Sequence, residues 1–290
     1  METTGILAGI AAKAEKAACI RPEDYRGRNG LWHCGRCHAP KQTVISWPGI
    51  AQPVTVYCLC DCERNDMTLD QKKRAERERR ERLKRESLSD MDTPAAQSMT
   101  LDRDDRSNPL LSDLARKYVE IWETIKASDV GGMILWGAPG TGKTFYATAI
   151  GNELMKQDVT VARVSAPKIV EVMQGLYDYE KAGFVSTLNQ NDLLILDDIG
   201  AERDTPFARE VIFSVVDNRC NLKKPIIATT NLTVQQMRDP KDRSGAPDMG
   251  YKRIFDRLLG AGTPVQVAGE SHRRQHGEEA REMMKEVMRS

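Results

Sequence analysis

Short apolar runs alternate with helical patterns through the last two thirds of this chain. Met133-Ile-Leu-Trp136, Val159–Val164, Leu193-Leu-Ile-Leu196, Ile226-Ile-Ala-Thr229 and Val265-Gln-Val267 read as five strands. A helix is predicted from Lys143 to about Lys156, and another opens near Pro167, where Ile169, Val170, Met173 and Leu176 recur at helical spacing. Strands that alternate with helices predict a mostly parallel sheet covered on both faces. The fold class is therefore α/β.

The first third reads differently. Met1 to Ile20 has the pattern of a short amphipathic helix, with lysines after the apolar run rather than before it, unlike a signal peptide. No stretch approaches the ~18–20 apolar residues of a membrane span, so a cytoplasmic chain with no membrane partner is expected. Lys72 to Arg85 holds nine basic and three acidic residues. Glu76 with Arg80, Glu78 with Arg82 and Glu81 with Arg85 are spaced as i,i+4 pairs, so a charged helix is expected. That helix reads either as a solvated tether or as a contact for nucleic-acid phosphate. Ser87 to Ala96 reads as a flexible linker. These shifts divide the chain into residues 1–62, a small N-terminal domain; 63–108, charged helix and linker; and 109–290, the α/β domain. The 43 basic and 42 acidic residues nearly cancel, so net charge by itself points to no partner.

The first strand runs into Gly137, Ala138, Pro139, Gly140, Thr141, Gly142, Lys143 and Thr144, the pattern Gly-x4-Gly-Lys-Thr between a strand and a helix. Its glycines let backbone N–H groups turn inward around phosphates, and the helix that follows presents its positive dipole end to the same anion. Lys143 would reach the β- and γ-phosphates, and the Thr144 hydroxyl would coordinate Mg²⁺. The expected ligand is a nucleoside triphosphate, ATP, with Mg²⁺.

The third strand ends in Asp197 and Asp198. At the carboxyl edge of a parallel sheet these acids would face the ligand crevice. Asp197 would complete the Mg²⁺ shell, and Asp198 would orient or deprotonate the attacking water. Thr229-Thr230-Asn231 ends the fourth strand, and Asn231 is the candidate to reach the γ-phosphate or the water. Arg253 and Arg257 share a helical face, and Arg273 and Arg274 follow the fifth strand. An exposed arginine in a self-assembling ATPase can neutralise transition-state charge on a neighbour's nucleotide.

Five of the seven cysteines fall between positions 34 and 62, as Cys34-Gly-Arg-Cys37 and Cys58-Leu-Cys60-Asp-Cys62. The clustering favours a metal over disulfides in a reducing compartment. The preferred zinc ligands are Cys34, Cys37, Cys60 and Cys62, with Cys58 as a substitute for one of the last two. Reduced thiols packed in a small domain are the plain alternative, and an iron–sulfur cluster a lesser one. So short a segment has too little core to fold unaided, and metal would supply the missing free energy. Cys19 and Cys220 read as ordinary small hydrophobes.

In this order the phosphate loop, Leu193–Asp198 with Ile199-Gly200-Ala201-Glu202 behind it, Thr229–Asn231 and Arg253–Arg257 resemble the AAA+ ATPases of the DnaC/IstB type. They look most like the DnaC-like helicase loaders of phages and prophages. The likeness covers roughly residues 105–275, and the cysteine-rich segment also fits that subgroup. The resemblance implies an AAA+ core with strand order 5-1-4-3-2 and little or no helical lid. It makes Asn231 sensor 1, Arg257 the finger given to the adjacent subunit, and Arg273 a sensor 2-like arginine. It further implies a homo-oligomer, a hexamer or spiral, that binds the replicative helicase and places it on single-stranded DNA, with slow ATP hydrolysis stimulated by that DNA. The N-terminal domain would grip the helicase. Asp198 departs from the more common glutamate. A transposition helper of the IstB type, assembling on duplex DNA, shares the core; the segment before the core favours the loader. The DNA-facing helix is expected at Lys168–Lys181, where Tyr177 and Tyr179 either stack on bases or pack in the core.

Overall fold

The computed structural model describes residues 20–46, 53–86, 88–128, 131–242 and 244–288. Nearly all of the expected helix at Met1–Ile20, together with Cys19, lies outside them, as does the Arg85 side chain of the expected Glu81 pair. The chain forms two compact units, Met1–Arg79 and Arg80–Ser290.

The first unit holds two small antiparallel hairpins, β1 (Tyr25–Arg26) with β2 (Trp32–His33) and β3 (Gln42–Ile45) with β4 (Val54–Tyr57). The helix α1 (Asp61–Glu86) follows. Among its described residues few large apolar side chains are buried. In their place Lys41, fully buried, lies between Asp24 and Glu63 at the centre of the unit. Burial acts against the Lys41 ammonium, but the two carboxylates outweigh it and hold its pKa above the usual lysine range. On α1, Glu76 takes a two-point contact from Arg79 at 2.9 and 3.0 Å.

The second unit is a five-stranded parallel sheet. Its strands are β5 (Gly132–Trp136), β6 (Val161–Ser165), β7 (Leu193–Ile199), β8 (Ile226–Thr230) and β9 (Gly262–Gln266). They lie in the order β6-β7-β8-β5-β9, which numbered within the sheet is 5-1-4-3-2, as the family resemblance implies. Alternate side chains of each strand enter two cores. Ile134, Leu194 and Leu196 meet α6 (Ala166–Gly175), α8 (Pro206–Asn221) and α10 (Met249–Ala261). Met133, Leu135, Leu193 and Ile195 meet α3 (Pro109–Glu120), α4 (Trp122–Lys126) and α5 (Lys143–Lys156). This is why the strands read as continuous apolar runs: both faces are covered. The remaining helices are α2 (Pro94–Gln97), α7 (Asp178–Gln190), α9 (Val234–Arg238) and α11 (His272–Val287).

Three expectations need correction. The segment after α1 is no flexible linker. Met91, Ala96 and Leu101 are buried, and Thr93 caps α2 through its hydroxyl. Residues 88–108 therefore belong to the second unit, because three apolar anchors in a polar stretch are enough to dock it. The helix expected over Lys168–Lys181 is broken. It ends at Gly175; Leu176 and Tyr177 are extended, and α7 begins at Asp178. The break leaves Tyr177 and Tyr179 71% and 79% exposed, which removes them from the core. Finally, the second strand begins two residues late, at Val161, after the left-handed turn at Asp158. The fifth strand spans Gly262–Gln266, with Val267 adding one more bond to Trp136.

Candidate nucleotide site and cysteine cluster

The phosphate loop joins β5 to α5 at the centre of the sheet. Gly137 and Gly140 have φ of 152° and 86°, where an L side chain is strained. Neither has room for one, since a Cβ would come within 2.4 Å of the Val267 carbonyl oxygen and 2.1 Å of Ser271 Oγ. The loop is thus pressed against the segment between β9 and α11. Asn108, Ser165, Thr205 and Asp248 each cap a helix with a side-chain oxygen, but α5 starts at Gly142 with no side-chain cap. Its first N–H groups are left for an anion. Lys143 lies in the loop, donating to the carbonyls of Gly137 at 2.9 Å and Ala138 at 2.8 Å. Burial pushes its ammonium pKa down, with Asp198 and Asp197 opposing and Arg273 adding to the shift.

At the end of β7 the ladder with β8 shifts register between Leu196 and Ile199, and Asp198 takes a left-handed φ of 55°. Adjacent strand residues point to opposite faces; the bulge turns Asp198 to the cavity while Asp197, beside it, meets Thr144. Asp197 Oδ1 accepts from Thr144 Oγ1 at 2.9 Å and from Thr229 Oγ1 at 2.6 Å. The Thr229 hydroxyl in turn accepts from the Asp198 N–H at 2.9 Å. Asp198 lines a cavity of about 440 Å³ together with Gly140, Lys143, Thr144, Asn231 and Arg273. Burial raises the Asp197 carboxyl pKa, and Asp198 raises it further, against the hydrogen bonds from the two threonines. A cation beside it would favour its ionised form. The oxygen pair Thr144 Oγ1 and Asp197 Oδ1 is of the hard-donor type that Mg²⁺ takes.

The opposite wall of the cavity is formed by Met99, Arg103, Asp105 and Ser107, with His272 from α11. None of these stands out in the sequence: the first four lie in the stretch that reads as charged helix and linker, and His272 precedes the more conspicuous Arg273. Thr229 was passed over for Asn231. Its signal is a hydroxyl in an otherwise apolar strand. Arg257 is absent from the cavity lining. It stands half-exposed on α10 with Nη2 2.9 Å from Asp217 Oδ1, while Arg253 lies over the Phe213 ring at 4.2 Å.

The family model described as IstB-like ATP binding protein matches residues 62–280. The chain belongs to this family. Among individual relatives, it is 36% identical over 140 residues to the "Uncharacterized protein YdaV" of Escherichia coli (strain K12), covering 47% of this chain and 53% of that one. It is 30% identical over 147 residues to the "Replicative helicase loader DnaI" of Bacillus subtilis (strain 168), covering 49% and 47%. The chain thus spans about half the length of the curated relatives it matches. A solved structure described as "Crystal structure of the DnaC helicase loader" superposes with a TM-score of 0.48 at 21% identity, over 60% of this chain and 99% of that one. The IstB-like family is one of ATP-binding proteins, and the loop, acids and sheet order described above are its AAA+ core.

In the first unit, the sulfurs of Cys34, Cys37, Cys60 and Cys62 all lie within 4.8 Å of one another. Four sulfurs tetrahedral about zinc at ~2.3 Å would stand about 3.8 Å apart, so the quartet fits a Zn²⁺ ion with small adjustment. The turn after Cys34 aims the Arg36 N–H at its sulfur, 3.4 Å away. Cys58 instead turns to the Pro40 carbonyl. His33 and His38 contact the Leu31 carbonyl and the Tyr25 hydroxyl, and neither belongs to the quartet. Burial pushes the Cys60 thiol up to about 12, while the Ala39 amide draws Cys37 down to about 7. Ionising all four thiols together requires a cation. Metal analysis of the purified chain is expected to return about one zinc per molecule. Cys60→Ser should lose it and Cys58→Ser should keep it; equal zinc in the two variants, or none in the parent, would return the quartet to ordinary thiols.

Proposed function

We propose that this chain is an ATP-dependent helicase loader: it binds the replicative helicase and places it on single-stranded DNA. The observation that carries the reading is the division of the site. Lys143, Thr144, Asp198, Asn231 and Arg273 line one cavity and Asp197 is bonded to it through Thr144, while Arg257 stands outside it on an exposed helix face. The names of the loader relatives, and the family to which the chain belongs, support the same reading.

In this account Lys143 leaves the loop carbonyls for the β- and γ-phosphates of ATP, and the uncapped start of α5 receives the same charge. Thr144 and Asp197 would hold Mg²⁺, which would supply positive charge to the phosphates. Asp198, aimed into the cavity by the bulge, orients the attacking water. Asn231 senses the γ-phosphate, and Arg273, at the start of α11, closes the cavity on the nucleotide. Arg257 leaves its contact with Asp217 to complete the site of an adjacent copy. Hydrolysis is then tied to assembly of a homo-oligomer and stays slow in the single chain. The cysteine-rich unit, zinc-bound, grips the helicase.

Single-stranded DNA is assigned to Tyr177 and Tyr179. Their rings are stacked on each other 5.8 Å apart at 5°, and both faces of an exposed aromatic pair are open to bases at about 1–3 kcal/mol per stacked base. Replacing both tyrosines with alanine should weaken binding of a labelled oligonucleotide by roughly tenfold or more, on that scale, without changing ATP affinity. Unchanged DNA binding would send the DNA to another face.

The direct test of the loader reading is capture of the replicative helicase by the full chain, with and without ATP. The parent should capture it in a nucleotide-dependent way. Lys143→Ala should bind no ATP and lose that dependence. Helicase capture that is absent in all conditions would contradict the proposal.

A further inference from the structure

A buried arginine behind the nucleotide site has no part in the roles assigned so far. Arg163 sits in the middle of β6, at the sheet edge, and is only 8% exposed. Its guanidinium makes a two-point contact with Asp90, Nε to Oδ1 at 2.6 Å and Nη2 to Oδ2 at 2.7 Å. The remaining nitrogen, Nη1, donates to Thr148 Oγ1 at 2.6 Å. Thr148 is one turn along α5 from the phosphate loop, and its hydroxyl donates to the Thr144 carbonyl at 2.7 Å. Thr144 then donates to Asp197 at 2.9 Å. A line of hydrogen bonds therefore runs from Asp90 through Arg163 and Thr148 to the Thr144 carbonyl, and the Thr144 side chain continues it to Asp197.

Asp90 is itself well anchored. Its N–H bonds the Arg163 carbonyl at 3.0 Å, the Arg163 N–H bonds Ser89 Oγ at 3.1 Å, and Met91 next to it is buried. Asn152, on α5, donates to the carbonyls of Ala96 at 2.8 Å and Met99 at 2.7 Å. Met99 lines the nucleotide cavity. The same short segment thus grips α5 from outside and walls the cavity from inside.

We propose that Arg163 is a positioning residue for the Mg²⁺–nucleotide site, and that Asp90 holds it in place. The proposal rests on the reading of Thr144 and Asp197 as the Mg²⁺ residues. A guanidinium locked by a two-point carboxylate contact has one direction left for its third nitrogen. That direction sets the Thr148 hydroxyl, and so the first turn of α5, where Thr144 must present its oxygen.

The test uses the full chain with Arg163→Gln, Arg163→Lys and Asp90→Asn, a fluorescent ATP analogue titrated with Mg²⁺ and with EDTA, and a thermal melt of each variant. Arg163→Gln should bind the analogue in EDTA like the parent but lose the tightening that Mg²⁺ brings. Its Mg²⁺ half-saturation should rise by roughly 10–100-fold, the usual cost of losing a partner behind a metal ligand. Asp90→Asn should move the same quantity less, Arg163→Lys should restore part of it, and the Arg163→Gln, Asp90→Asn double variant should be no worse than Arg163→Gln alone. If melting temperatures fall while Mg²⁺ half-saturation stays at the parent's value, Arg163 only fastens the sheet edge and the proposal is wrong. Should Arg163→Gln fail to fold, Asp90→Asn decides in the same way. A parent chain that binds the analogue identically with Mg²⁺ and EDTA would overturn the Mg²⁺ reading itself.

Discussion

Asp197 accepts two hydroxyl hydrogen bonds at a position where burial opposes its charge, and the rest of the nucleotide site is arranged around that carboxylate. Thr144 ties it to the phosphate loop and Thr229 ties it to β8. The same Thr229 hydroxyl catches the amide of Asp198, whose left-handed turn sends the second acid into the cavity. Two neighbouring strands, β7 and β8, and the N-terminus of α5 are thereby fixed to one another within a few ångströms. Preorganisation of this kind costs folding free energy at a few polar contacts and spares it when the ligand arrives.

The two units solve the same problem, placing charge where water is scarce, by different means. In the ATPase unit, apolar runs of Val, Ile and Leu on five strands supply the core, and the charged groups gather at the sheet's carboxyl edge. The first unit has almost no such core among its described residues. Lys41, Asp24 and Glu63 are paired inside it, and four sulfurs converge beside them. Glu63 links the two features, because it accepts the Cys60 N–H at 3.3 Å as well as the Lys41 contact at 2.9 Å. A bound zinc ion would therefore hold the ion pair as well as the cysteines.

Local chemistry was legible in the sequence. The phosphate loop, the acid pair and the cysteine quartet each depend on residues close together in the chain, or on one spacing, and the strand order came with the family they resemble. What could not be read depends on distant packing. Arg163 and Asp90 are 73 positions apart, and nothing near either one marks the other. The stretch around Met91, Ala96 and Leu101 looks like linker because its composition is polar; only the three side chains that dock say otherwise. The break after Gly175 was missed because Ile169, Val170, Met173 and Leu176 keep helical spacing up to it. Its effect is local: it leaves Tyr177 ahead of α7 and Tyr179 in the first turn of α7, both exposed.

The central claim is that the nucleotide site is shared, with Arg257 of one copy completing the cavity of the next. It is tested by mixing Arg257→Ala with Asp198→Asn and measuring ATP hydrolysis in the presence of single-stranded DNA. Each variant alone should be inactive, and the mixture should regain a fraction of the parent's rate, because some interfaces then pair an intact Asp198 with an intact Arg257. A mixture as inactive as its two components, or an Arg257→Ala chain as active as the parent, would contradict the account.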